Sequence, residues 1–267
     1  MKRVVPSIRF LIALGALAVV GLACALPGQA PSIDEVILEP TVRPPQAAAT
    51  AAPQVVAPTS PPSEPPMASS AFRDDFDGTM DIGWTWFKGP EPGYSLTHTP
   101  GWLRLNLSTG GFLGATPPEN LLLRPAPGAA FDLSTYLRFS PHNNFELAGL
   151  VVVFDDDSVL QFGRGGCFLE APTPTCIGDG LYFDNLQNGS AVGGNFATPA
   201  ALGLDYVLRL QRSGNTYTAS YTDSNGGSGT LGSHTVDGTP VSIGLIAAQA
   251  TVAQPYADFD YFEMASQ

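Results

Sequence analysis

The nine residues Phe131-Asp132-Leu133-Ser134-Thr135-Tyr136-Leu137-Arg138-Phe139 alternate, with apolar side chains at the odd positions and mainly polar ones at the even positions. Successive side chains of a β-strand point to opposite faces, so a period of two marks a strand with one face in a core and one in water. The same rule reads Leu204-Asp205-Tyr206-Val207-Leu208-Arg209-Leu210-Gln211 and Tyr217-Thr218-Ala219-Ser220-Tyr221-Thr222. Turn residues punctuate the pattern at Ser213-Gly214-Asn215, at Asp223-Ser224-Asn225-Gly226-Gly227, at Asp237-Gly238, and at the acidic Asp155-Asp156-Asp157 between Val151-Val152-Val153-Phe154 and Val159-Leu160-Gln161-Phe162. About a dozen strands fit into residues 71–267 at this spacing, with no crossover helices between them. The expectation is an all-β domain, an antiparallel two-sheet sandwich.

The composition agrees. Of 267 residues, 29 are glycine and 25 proline while 13% are charged, a mixture that disfavours helix bundles and suits short strands joined by turns. With 44% hydrophobic residues the chain has ample material for a core. Acidic residues outnumber basic ones 24 to 12, for a formal charge of -12. Loss of an N-terminal leader carrying Lys2, Arg3 and Arg9 leaves 9 basic residues against 24 acidic ones, or -15. Such a surface repels phosphate backbones and anionic lipid heads, which argues against nucleic acid as a partner and against electrostatic membrane binding.

Residues 1–24 read as an export signal. Lys2, Arg3 and Arg9 precede the apolar run Phe10 to Leu22, which is short for a bilayer span and ends at Gly21-Leu22-Ala23-Cys24. Small residues before a cysteine resemble the lipobox of bacterial lipoproteins, in which that cysteine is acylated and becomes the new N-terminus; the leucine sits two places before Cys24 rather than the usual three. An ordinary secretory signal and an uncleaved anchor are the competing readings. Residues 25–70 hold 11 of the 25 prolines and no strand-like alternation, so they read as an extended, disordered linker that lifts the domain 71–267 off its membrane. The expected location is therefore extracytoplasmic, on a bacterial cell envelope, with membrane contact through the lipid of Cys24 alone. Within the domain, Cys167 and Cys176 enclose the eight residues Phe168 to Thr175. Two thiols of an exported chain with no histidine nearby are read as a disulfide rather than a metal site.

An ordered series of short motifs carries a family resemblance: Asp74-Asp75-Phe76-Asp77-Gly78, Trp84-Thr85-Trp86, Pro100-Gly101-Trp102-Leu103-Arg104-Leu105, Asn120-Leu121-Leu122, Ala148-Gly149-Leu150, Ile243-Gly244-Leu245 and Ala257-Asp258-Phe259-Asp260-Tyr261-Phe262. Together they resemble the concanavalin A-like C-terminal domain of family 43 β-xylosidases over almost all of residues 71–264. The resemblance implies a jelly-roll sandwich of the legume-lectin and laminarinase type, usually attached to a five-bladed catalytic propeller that this chain does not contain. It also implies a candidate calcium site, with Asp75 near the first strand and Asp260 in the last one where relatives place oxygen ligands. No cofactor is certain, and strand-end capping by the same two aspartates is the simpler alternative.

Chemistry is thinly signalled. The domain has glutamates only at 91, 119, 146, 170 and 263, without the Glu-x-Asp-x-x-Glu strand of laminarinase-like hydrolases, and it has no Gly-x-Ser-x-Gly elbow. His98, His142 and His234 stand singly in contexts read as solvated loops. Asp155-Asp156-Asp157 is read as a solvated turn. For binding, the leucines of Trp102-Leu103-Arg104-Leu105-Asn106-Leu107 go inward, leaving Trp102, Arg104 and Asn106 on the wet face, and Tyr136 and Arg138 occupy the wet face of their own strand. An aromatic platform flanked by planar polar groups matches the apolar C–H faces and hydroxyl rims of sugars. Trp102, Arg104, Tyr136 and Arg138 are therefore the candidate carbohydrate-binding residues, with coverage of Trp102 by a loop and pairing of the arginines with acids as the alternative. Trp84 and Trp86 are read as core.

The leading functional expectation is a surface-anchored, lectin-like lipoprotein that binds a xylan-like or cell-wall glycan without cleaving it. Two readings compete: a structural or protein-interaction module of the envelope, and a glycoside hydrolase or lyase with an unrecognised site. Fold alone does not choose among them.

Overall fold

The computed structural model describes residues 71–87, 93–114, 116–128, 130–170, 173, 175–249 and 255–266. The export signal, Cys24 and the linker 25–70 lie outside the described residues. Among those described are sixteen strands and no helix. The first eight are β1 (Ala71–Asp74), β2 (Thr85–Trp86), β3 (Tyr94–Ser95), β4 (Leu103–Asn106), β5 (Leu121–Pro125), β6 (Ala130–Arg138), β7 (Leu147–Asp155) and β8 (Ser158–Cys167). The rest are β9 (Gly178–Gln187), β10 (Ser190–Ala191), β11 (Phe196–Pro199), β12 (Tyr206–Ser213), β13 (Thr216–Asp223), β14 (Ser228–Thr235), β15 (Ser242–Ala248) and β16 (Tyr256–Ser266). The expected dozen falls short because β2, β3 and β10 are two-residue pairings, too brief to show a period.

These strands form two antiparallel sheets packed as a jelly-roll sandwich. The first sheet runs β14-β13-β12-β6-β16-β4-β3 with β1 also on β16; the second runs β10-β9-β8-β7-β15-β5-β2 with β11 on β9. Sheet neighbours β7 and β15 are far apart in sequence yet paired over seven residues, from Ser242 opposite Val153 to Ala248 opposite Leu147. The main core lies between the sheets and includes Leu103, Leu105, Leu133, Leu137, Leu150, Val152, Phe162, Phe183, Leu208, Leu245 and Phe259. Trp84 and Trp86 pack against it, as read from the sequence. Trp84 meets Phe262 edge-on at 5.0 Å and donates its indole N–H to Asp74 Oδ2 at 2.8 Å.

One wet face per strand holds for the first sheet and fails for the second. Strands β6 and β12 alternate buried and partly exposed residues along their whole length. In β7, β8, β9 and β15, by contrast, nearly every residue is buried on both faces. A second apolar cluster, including Leu121, Leu147, Val151, Val153, Val159, Tyr182, Leu186 and Ile246, occupies the outer face of that sheet. It is covered by the segment after β4, which places Phe112 and Leu113 on it. Backbone hydrogen bonds pin this cover: Ser108 N–H donates to Ala247 O, Gln249 N–H to Gly110 O, and Gly114 N–H to Gly189 O. Gln249, held at φ 66°, also donates from Nε2 to Leu113 O at 2.7 Å. A buried outer face explains the near-continuous apolar runs of β7 and β15, which resemble those of sheets covered on both sides.

Cys167 at the end of β8 and Cys176 just before β9 form the expected disulfide, with Cα atoms 5.0 Å apart. The Asp155-Asp156-Asp157 hairpin is an Asx-type turn in which Asp157 N–H donates to Asp155 Oδ1, and this bond holds the Asp155 carboxyl below its ordinary pKa. His234 departs from its reading as a solvated loop histidine. It lies on β14, buried between the rings of Phe183 and Phe196, with Nε2 at 3.2 Å from Phe183 O. Its neighbours Ser233 and Thr235 are polar, so the local sequence conceals the inward face.

Candidate functional site

The four residues selected from the sequence converge on the outer face of the first sheet. Registry explains why: Asp258 of β16 is paired with Arg104 of β4 on one side and with Arg138 of β6 on the other. Trp102, one residue before β4, meets Tyr136 of β6 edge-on at 5.7 Å. The Arg138 guanidinium lies 4.6 Å from the centroid of the Trp102 ring. Trp102 is half-buried and stands outside both core clusters, as expected of a wet-face residue.

The arginines are also paired with acids. Arg104 gives a two-pronged pair to Asp258, Nε to Oδ1 at 2.6 Å and Nη2 to Oδ2 at 2.7 Å. Arg138 pairs with Asp205 through Nε at 3.0 Å and Nη2 at 2.9 Å, and the Tyr136 hydroxyl reaches the same carboxylate at 3.4 Å. The carboxylates hold both guanidinium groups above their ordinary pKa. Burial, with Asp205 beside it, raises the Tyr136 phenol. Pairing withdraws Arg104, whose side chain is 13% exposed, but does not remove Arg138 from the surface. Arg138 keeps a side-chain exposure of 53%, and its plane remains against Trp102. Asp205 therefore fixes the Arg138 plane in place without hiding it, and Asp258 fixes Arg104 against Tyr256.

Three elements of the site escaped the sequence reading. Tyr256 opens β16 and is 48% exposed, with the Arg104 guanidinium stacked 3.4 Å from its ring centroid. Asp258 and Asp205 supply the orienting carboxylates. The third element is a cleft of about 430 Å³ beside this stack, lined among others by Arg138, His142, Asn143, Glu146, Tyr256 and Asp258. The wall between β6 and β7 is built around the fully buried Glu146. Its Oε2 accepts from the N–H groups of His142 and Asn143 at 2.7 and 3.1 Å, and its Oε1 from Asn143 Nδ2 at 2.7 Å. The outward alternation of Ala257-Asp258-Phe259 was the available signal for Asp258.

Asp75 and Asp260 fit a cation poorly. Asp75 Oδ1 accepts from Arg73, Nε at 2.8 Å and Nη2 at 2.7 Å, and Arg73 also pairs with Glu263. Asp260 is held above its ordinary pKa chiefly by burial, with Arg73 opposing. Among the described residues no group of three or more His, Cys, Asp or Glu side chains is arranged to hold a metal ion. An arginine already supplies the positive charge that calcium would bring to Asp75.

Comparison with known proteins adds the fold family. Residues 73–166 match the family model of the beta xylosidase C-terminal concanavalin A-like domain. No curated protein matches the chain. Among solved structures, the chain is similar to the Bacteroides ovatus protein described as xyloglucan PUL GH43B, at 25% identity and a TM-score of 0.62, with 73% of this chain and 39% of that one covered. It is also similar to the xylan beta-1,4-xylosidase from Bacillus halodurans C-125, at 19% identity and a TM-score of 0.60, covering 79% of this chain and 41% of that one. The chain thus spans about two fifths of the length of these structures. The domain is a concanavalin A-like jelly roll of the kind found in these proteins.

Proposed function

We propose that the domain binds a neutral, xylan-like glycan across the outer face of its first sheet and does not cleave it. The observation that carries this reading is the pair of stacked planar groups, Arg138 on Trp102 and Arg104 on Tyr256, flanking a cleft of about 430 Å³. Aromatic faces meet the C–H faces of sugar rings, and the guanidinium and carboxylate edges meet hydroxyls. Relatives named for xylan and xyloglucan support the ligand class. Binding without cleavage is supported by the state of the carboxylates at the cleft. A glycosidase needs two carboxyls free to face the scissile bond; Asp258 is clamped by Arg104 and Glu146 accepts three hydrogen bonds from its own loop. Acylation at Cys24, with the 25–70 linker, would present this face outward from a bacterial envelope.

The test is calorimetric titration of the full chain with xylohexaose, followed by an assay for reducing ends. A few stacks and hydrogen bonds give a dissociation constant roughly between micromolar and millimolar. Trp102→Ala and Tyr256→Ala should each abolish detectable binding while the thermal midpoint stays nearly constant, because neither side chain belongs to a core cluster. Binding that survives both substitutions would move the glycan off this face. A chain that binds no glycan at all would leave the domain as an interaction scaffold, and release of reducing ends would make it an enzyme.

A further inference from the structure

The opposite sheet carries a second cavity. It measures about 240 Å³ and lies on the outer face of the second sheet, beside the disulfide loop. Its polar groups come from neighbouring strands: Gln161 of β8 and Asp184 of β9 are directly paired, and Asn195 precedes β11. Its apolar lining includes Leu147 and Tyr182, with Phe145 and Leu169 at the mouth, 43% and 47% exposed. Phe145 is held in the left-handed region at φ 70°, its N–H bonded to Gly166 O. A bulky residue in that conformation is strained, and such strain concentrates where a side chain must be presented in one direction. Gly165 lets the floor strands approach closely: a Cβ there would stand 2.8 Å from Glu146 O.

The polar groups are short of partners. Asp184 is only 5% exposed, and the hydrogen bond it accepts is from Gln161 Nε2 at 3.0 Å. No lysine, arginine or histidine is among the described residues lining the cavity. The Asn195 side-chain oxygen is buried without a hydrogen-bond partner among the described residues. Burial that one neutral donor offsets poorly also raises the Asp184 carboxyl to a pKa of about 6. Buried carboxylates are normally paired or multiply hydrogen-bonded, and under-satisfied ones are costly unless something completes them.

We propose that this cavity is a binding site for a single, neutral, hydroxyl-bearing ring, a monosaccharide unit, which inserts between Tyr182 and Leu147 and donates hydroxyls to Asp184 and Asn195. Size, charge and chemistry agree on this class. The volume falls below the about 300 Å³ at which drug-sized pockets begin, so one ring fits and a chain does not. An anion would meet a carboxylate with no cation beside it. The carboxamides of Gln161 and Asn195 both donate and accept, as hydroxyls do, whereas an ammonium group would use the acceptors alone. The site is on the other sheet from the platform of Trp102 and Tyr256, and among the described residues it shares only the buried Glu146 with the lining of the larger cleft.

The experiment titrates the full chain with D-xylose and D-glucose as single-ring probes, by saturation-transfer NMR and calorimetry, in parallel with cyclohexylammonium. At least one sugar should bind. Asp184→Asn, which preserves shape, should weaken it about tenfold by exchanging a charged acceptor for a neutral one; Asp184→Leu, which fills the cavity, should abolish it. Sugar binding that persists in Asp184→Leu overturns the proposal, as does binding of cyclohexylammonium with no sugar bound, or no binding at all. A native chain that binds a monosaccharide but no xylohexaose would defeat the platform reading and leave this one standing.

Discussion

Asp258 lies directly across from Arg104 and takes both ends of its guanidinium, with side-chain exposures of only 5% and 13%. Two charges so withdrawn from water give up much of their hydration, so the pair adds little net stability and breaking it is expensive. Its consequence is positional. The clamp holds Arg104 flat against Tyr256, on the edge of the larger cleft.

Removing the clamp should therefore affect folding and binding together. Asp258→Ala leaves Arg104 half-buried without its counter-charge and should cost about 3 kcal/mol in urea unfolding. Adding Arg104→Leu to that variant should restore part of the loss, because the stranded charge is gone. A double variant no more stable than Asp258→Ala would show that the pair is not the source of the cost.

Two buried groups titrate in opposite senses. Asp184 has a folded pKa of about 6 against an ordinary 3.8, raised by burial, so the folded state holds its proton longer than the unfolded chain. Stability contributed by the protonated form should fall as pH rises from about 4 to 6, by about 2–3 kcal/mol at most. Asp184→Asn should remove this slope and make the protein more stable at pH 7, as read from denaturant midpoints across the range.

His234 slopes the other way. Burial between Phe183 and Phe196 lowers its pKa below the ordinary 6.5, with the bond to Phe183 O opposing. The unfolded chain takes up the proton first, so the stability present above pH 6.5 is lost as pH falls below it. In the native chain the two slopes oppose each other where their ranges overlap, just below about pH 6. His234→Leu should expose the Asp184 slope alone, and Asp184→Asn the His234 slope alone. Parallel profiles for the two variants would contradict this assignment.

The legible and illegible parts of the molecule divide along its two sheets. Strands β6 and β12 have one wet face, so their alternation announces itself, and the convergence of Trp102, Arg104, Tyr136 and Arg138 follows from it. The outer face of the second sheet is covered by Phe112 and Leu113, residues distant in sequence whose placement depends on bonds to Ala247, Gln249 and Gly189. Local periodicity contains no trace of that cover. The cleft escaped for a similar reason. Its wall depends on Glu146 folding back onto His142 and Asn143, and the mouth of the smaller cavity on the positive φ of Phe145. The sequence pattern Asn143-Asn144-Phe145-Glu146 announces neither.

The disulfide is expected to act on one sheet only. Cys167 and Cys176 are nine residues apart and close a short loop, so reduction should cost about 2–3 kcal/mol through the entropy regained by the unfolded chain. Both cysteines and Leu169 line the smaller cavity, whereas the Trp102–Tyr256 face belongs to the other sheet. Cys167→Ser/Cys176→Ser should therefore lower the thermal midpoint by several degrees and weaken monosaccharide binding, while the affinity for xylohexaose stays constant. Calorimetry of the variant with both sugars measures the two effects in one preparation. An equal loss of both affinities would mean that the loop supports the whole sandwich rather than the wall of one cavity.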